Sequence, residues 1–131
     1  MGAWTHEPFG NDDAADWVAD LVESKNLTAI EGALNAVTEE AEEYLEAPQC
    51  AEALAAAEVV AALLAHPSAS LPEKAAKWVK GKAAPSSALV AKAQRAVAAI
   101  LKASELQELW AESEDYSQWQ TVTKDLLARL G

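Results

Sequence analysis

The chain offers few side chains that could do chemistry: two histidines, His6 and His66, one cysteine, Cys50, and many carboxylates. A nucleophilic cysteine needs a positioned base. Cys50 sits at the start of an Ala-rich stretch with only His6 and His66 as possible partners, and no spacing links them. Cys50 therefore reads as a small, half-buried filler. His6 and His66 invite a metal reading with Asp12, Asp13 or Glu46. Metal motifs place ligands at local spacings such as one helical turn, and the chain has neither His-x-x-x-His nor Glu-x-x-His. His6 reads as a loop residue in contact with water, and His66 as a residue at a helix C-terminus, where it suits the dipole. The acidic run from Glu39 to Glu46 could bind Ca²⁺ or a basic peptide. It lacks the alternating Asp/Asn and the Gly of an EF-hand loop, so a solvated helix face is the simpler reading.

Glu58 is the sharper candidate. It is the single polar residue in Ala53–Ala65, where twelve of thirteen residues are apolar. A segment of that length makes three to four helical turns and is too short to span a bilayer, which takes about 20 apolar residues. A helix apolar nearly all round is a buried central helix. On the wheel, Glu58 shares a side with Ala51, Leu54, Ala55, Ala61, Ala62 and Ala65, while Val59, Val60, Leu63 and Leu64 point the other way. The Ala side either faces solvent with Glu58 wet, or is covered by another helix with Glu58 buried. In the second case the carboxylate needs hydrogen bonds or a cation. Its candidate partners are a Trp N–H such as Trp4 or Trp17, the backbone of the N-terminal arm, or an Arg or Lys.

The elements that must position these residues are helical. Of 131 residues, 31 are alanine and only five each are Gly and Pro, a bias towards helix. The length fits one domain spanning residues 1–131 with a core of its own. The spacing predicts an irregular arm over Trp4–Asp13, then a helix over about Asp13–Ser24, with Asn11 or Asp12 as cap and Ala14, Trp17, Val18, Leu21 and Val22 on one face. Trp4 and Phe9 would fold back on it. Thr28-Ala29-Ile30-Glu31 reads as a capping box for a second helix carrying Ile30, Leu34, Val37 and Ala41 and breaking near Tyr44–Ala47. Pro48 opens the central helix, which runs to His66. Ser70-Leu71-Pro72-Glu73 opens a short helix with Ala76, Trp78 and Val79, ended by Gly81. Further helices follow over Leu89–Ala103, from Ser104, and from Asp115 to the end. No strand alternation or repeat is present. The expected fold is all-α: a single-domain irregular bundle of about six to seven helices around Pro48–His66, with an ordered N-terminal arm.

The formal net charge is −11, unevenly placed. Met1–Glu58 holds fourteen acids against Lys25 alone. Glu73–Lys102 holds one acid against seven bases, and Ala103–Gly131 six acids against two. A broad basic face for nucleic acid is excluded. An acidic surface suits a basic protein partner, unless the basic third folds against the acidic third. A lone cysteine and the lack of a secretory segment or membrane span point to the cytoplasm.

The opening Met1-Gly2-Ala3-Trp4, Pro8-Phe9, Asn11-Asp12-Asp13-Ala14 and Trp17 resembles the start of the bacterial domain-of-unknown-function 4259 family. So do Tyr44-Leu45-Glu46-Ala47-Pro48, Ala55-Ala56-Ala57-Glu58-Val59-Val60-Ala61-Ala62, and Ser104-Glu105-Leu106 with Leu109-Trp110. Thr5 and Gly10 depart from the pattern. The resemblance implies a small helical bacterial protein and carries no activity, cofactor or metal with it.

Three functions from different classes remain. The first is a cytoplasmic interaction module whose acidic N-terminal half meets a basic partner, as toxin-neutralising immunity proteins do. The second is a small-molecule or metal-dependent enzyme using Glu58, His6 and the Asp12, Asp13 and Asp16 cluster, which requires these groups to converge. The third is a structural subunit of an oligomer, marked by an exposed apolar patch. The sequence favours the first, with no catalytic residue, cofactor or metal, and with Glu58, His6, Asp12, Asp13, Asp16 and Glu46 as binding candidates.

Overall fold

The structure is a computed structural model that describes Phe9 and residues 11–24, 27–39, 44–69 and 71–131. His6 and Trp4 lie outside the described residues, as do Ser70 and most of the acidic run between Glu39 and Tyr44. Among the described residues seven helices form an all-α fold: α1 Asp12–Glu23, α2 Thr28–Thr38, α3 Ala47–Leu63, α4 Glu73–Val79, α5 Ser87–Lys102, α6 Glu105–Ala111 and α7 Tyr116–Leu130. No strand occurs among the described residues.

Helix α3 is the central post. It packs against every one of the other six helices, and every residue from Ala53 to Ala62 is buried. Ala is what makes this possible. A side chain of one carbon lets several helix axes come close to one post on all sides, and the Val59 and Val60 side chains fill the rest. The two sides inferred from the wheel are thus both covered, and the Ala side does not face solvent.

Local signals explain most helix ends. The Asn11 side chain accepts a hydrogen bond from Ala14 N–H at 2.8 Å and caps α1. Ser86 and Ser104 cap α5 and α6 in the same way, through Leu89 N–H and Gln107 N–H. Pro48 lies in the first turn of α3, where a missing N–H leaves no helical bond unmade. Two helix starts differ from the capping-box reading: Thr28 is the first residue of α2, with Leu27 at the cap position, and α4 begins at Glu73 after Pro72. In α4 the buried residues are Ala75 and Trp78, with Ala76 exposed.

The end of α3 also differs from expectation. It stops at Leu63, three residues before His66. His66 N–H donates to Ala61 O at 2.9 Å and Ala65 N–H to Ala62 O at 2.9 Å. This pair of bonds is a Schellman motif. It places Ala65 at φ 68°, in the left-handed region. His66 is therefore in the turn beyond the helix.

Polar ties then fix the outer helices. Trp17 Nε1 donates to Ala29 O (3.3 Å) and joins α1 to α2. Trp78 Nε1 donates to Ser24 O (2.7 Å) and joins α4 to the end of α1. Glu105 N–H donates to Leu45 O, while Glu105 Oε1 accepts from Ala47 N–H at 2.7 Å, so α6 supplies the cap that α3 lacks locally. Phe9 packs on the core before α1, as the staple pattern predicts.

Candidate functional site

Glu58 is fully buried, at 0% exposure. Its carboxylate is held by Arg129 in the last turn of α7. Nη1 donates to Oε1 at 2.8 Å and Nη2 to Oε2 at 2.9 Å. This is the two-pronged geometry in which a planar guanidinium matches a carboxylate. Arg129 has further acceptors. Its Nε donates to Asp125 Oδ2 at 2.7 Å, and Nη1 also donates to His66 O at 3.1 Å. The hydrogen bond to Glu58 is the largest influence on the guanidinium and pushes its pKa up, while partial burial works against it. The Arg129 side chain is 18% exposed and Asp125 64%, so the network runs from the core outwards to solvent.

Each part of this site has a local cause. Glu58 is the one charge in the apolar run Ala53–Ala65. The left-handed turn at Ala65 swings the His66 carbonyl towards α7. His66 Nδ1 donates in return to Arg129 O at 3.1 Å, tying the two helix ends together. Next to them, Gln94 of α5 donates from Nε2 to Gly131 O at 2.7 Å. The sequence allows an Arg or Lys as partner for Glu58 without choosing among its ten bases. Arg129 lies 71 residues away. The available signal was Asp125 followed four residues later by Arg129, next to the core positions Leu126 and Leu130.

The other candidate residues lie elsewhere. Asp12, Asp13 and Asp16 are exposed on α1, an environment unlike that of Glu58. Glu46 is exposed at the cap position of α3. His66 follows the opposite end of the same helix, which at 1.5 Å per residue is roughly 25 Å long, so Glu46 and His66 do not converge. Among the described residues, no three His, Cys, Asp or Glu side chains come together to hold a metal ion.

The structure extends the Asp12, Asp13 and Asp16 cluster with three carboxylates that the sequence did not single out, Asp20 and Glu23 of α1 and Glu52 of α3. Glu52 on α3 has its pKa raised, first by burial and then by Asp13 and Asp20 of α1. These like charges from two helices share one field. Asp12, Asp13, Asp16, Asp20 and Glu23 are all exposed. At 100° per residue they fall within a stripe roughly 100° wide on α1. None of the five forms an ion pair with a described residue.

Cys50 is buried, and burial pushes its thiol up to about 11, against a lowering by the Ser104 side chain. It is a packing residue. Tyr44 is exposed, and its hydroxyl donates to Glu108 at 2.7 Å; that bond is the main cause of a phenol pKa near 12. A shallow depression of about 110 Å³ lies between Glu31, Ser86, Ala88, Leu89 and Lys92, and no candidate residue lines it. Among the described residues, no helix is long and apolar enough to cross a membrane.

No curated protein matches the chain, and no solved structure does. A family model does match, over residues 2–122, which takes in α1 to α6 and the first half of α7. Glu58 falls inside the matched span and its partner Arg129 just beyond it. The chain belongs to the family described as Domain of unknown function (DUF4259).

Proposed function

We propose that the protein is an interaction module whose acidic α1 stripe docks on a basic protein surface. The observation that carries this reading is the set of five exposed carboxylates on one side of α1, with Glu52 of α3 beside them. Like charges held together without a described counter-ion weaken the isolated fold, and a cationic partner relieves that repulsion. Such complementarity acts mainly on encounter rate and partner choice. An immunity-type role, in which an acidic chain masks a basic protein, is one form of this reading. The Arg129 clamp on Glu58 supports a structural role for that carboxylate rather than an acid–base one. Large exposed apolar side chains are limited, among the described residues, to Val22 and Tyr44, which gives no support to an apolar oligomer interface.

The test is affinity purification from the native cell with the wild-type chain and an Asp12→Asn/Asp16→Asn/Asp20→Asn variant. The expected result is a basic protein held by the wild type at low salt, released at high salt, and not recovered by the variant. Recovery of the same proteins by both chains at the same salt overturns the reading.

A further inference from the structure

We propose that Glu58 and the His66 carbonyl form an arginine receptor on α3, filled in this structure by Arg129 as an internal ligand. Helix α3 and the turn after it supply every acceptor of this receptor without α7. Glu58 provides two carboxylate oxygens at the bottom of an apolar site. The left-handed residue Ala65 brings the His66 carbonyl to the rim as a third acceptor. These three acceptors engage the two terminal nitrogens of one guanidinium at 2.8, 2.9 and 3.1 Å. Such a layout is selective. An ammonium group is a compact point charge and cannot span both carboxylate oxygens in one plane, whereas a guanidinium does so with no rearrangement.

The receptor also has an open side. Arg129 keeps part of its side chain in solvent, and Asp125, which takes its Nε–H, is mostly exposed. A small guanidinium from solution can therefore reach the site once the Arg129 side chain is removed. With Arg129 in place, the receptor holds down the last turn of α7, whose backbone is also tied by His66 Nδ1 and Gln94 Nε2. The last turn is thus a strap, and an arginine from another chain would have to compete with it for Glu58.

The experiment is chemical rescue of the full chain. In Arg129→Ala, ethylguanidinium at millimolar concentration is expected to give a saturable rise in Tm. Ethylammonium and NaCl at the same ionic strength should give only the smaller, non-saturable rise of charge screening, and the saturable part should vanish in Arg129→Ala/Glu58→Gln. An equal rise with ethylammonium or NaCl, or an equal rise in the double variant, overturns the proposal. Arg129→Lys tests it if Arg129→Ala does not fold. Lys keeps the charge and loses the planar fork, so a lower Tm and faster amide exchange over residues 128–131 are expected. Wild-type Tm and wild-type exchange in Arg129→Lys would equally overturn the proposal.

Discussion

A carboxylate with no exposed surface is costly unless its charge is matched where it stands. Glu58 is matched by two short hydrogen bonds from Arg129. Breaking a buried pair by removing one partner costs about 3–5 kcal/mol. Arg129→Ala should therefore lower the urea unfolding free energy by about that amount. Asp125→Ala removes only an exposed partner and should cost under about 1 kcal/mol. Equal losses in the two variants would show that Glu58 does not depend on Arg129. Glu52 makes the opposite prediction. Its folded-state pKa lies above the ordinary glutamate value of 4.5, so the folded chain binds more protons than the unfolded one just above that value. Stability must then fall as pH rises through this window. Glu52→Gln should be more stable than the wild type at pH 7, and the difference should close as pH drops below about 4. Urea midpoints at the two pH values measure it.

Most of the helices could be read in the sequence because their signals are local. Asn11 and Ser104 each cap the helix their position predicts, and Pro48 opens α3. The sequence was less informative where the deciding partner is distant. The start of α3 is capped by Glu105 from α6. Whether the Ala side of α3 is wet or covered depended on all six neighbouring helices, a fact about packing that no wheel contains. The candidate site was legible only in part for the same reason. Glu58 stood out as the lone charge in an apolar run, while Arg129 looked like one more surface base at a helix end. The early stop of α3 rests on Ala65 adopting a conformation usually taken by Gly.

Two substitutions test these elements. Ala57 is fully buried in the post, and Ala57→Leu adds three carbons where several helices meet, which should cost about 1–3 kcal/mol or more. Ala65→Gly removes the clash of a left-handed L-residue and should gain up to about 1 kcal/mol. Chemical denaturation reads both, and a stabilised Ala57→Leu would mean that α3 is not closely packed.

At the scale of the whole molecule, charge divides into two kinds. The Glu58–Arg129 pair is shielded from salt by its burial. The α1 stripe is exposed and repels itself, and the net charge of −11 adds to this. Raising ionic strength from about 10 mM to about 150 mM shortens the screening length from roughly 30 Å to 8 Å. Tm should therefore rise by a few degrees, on the order of 1 kcal/mol. The rise should be smaller in the Asp12→Asn/Asp16→Asn/Asp20→Asn variant, in a thermal melt at each salt concentration. A salt response unchanged by the triple substitution would place the repulsion elsewhere.

The distance in sequence between Glu58 and Arg129 also has a meaning in time. A ribosome adds about 5–20 residues per second, so the 71 residues from Val59 to Arg129 take roughly 4 to 14 seconds to make. During that interval the nascent chain already holds the central post and its carboxylate but lacks the arginine that neutralises it. Helices α1 to α6 can gather round α3 in these seconds, before the guanidinium that clamps Glu58 has been made. The order of synthesis thus puts the Glu58–Arg129 pair among the last contacts of the fold that can form.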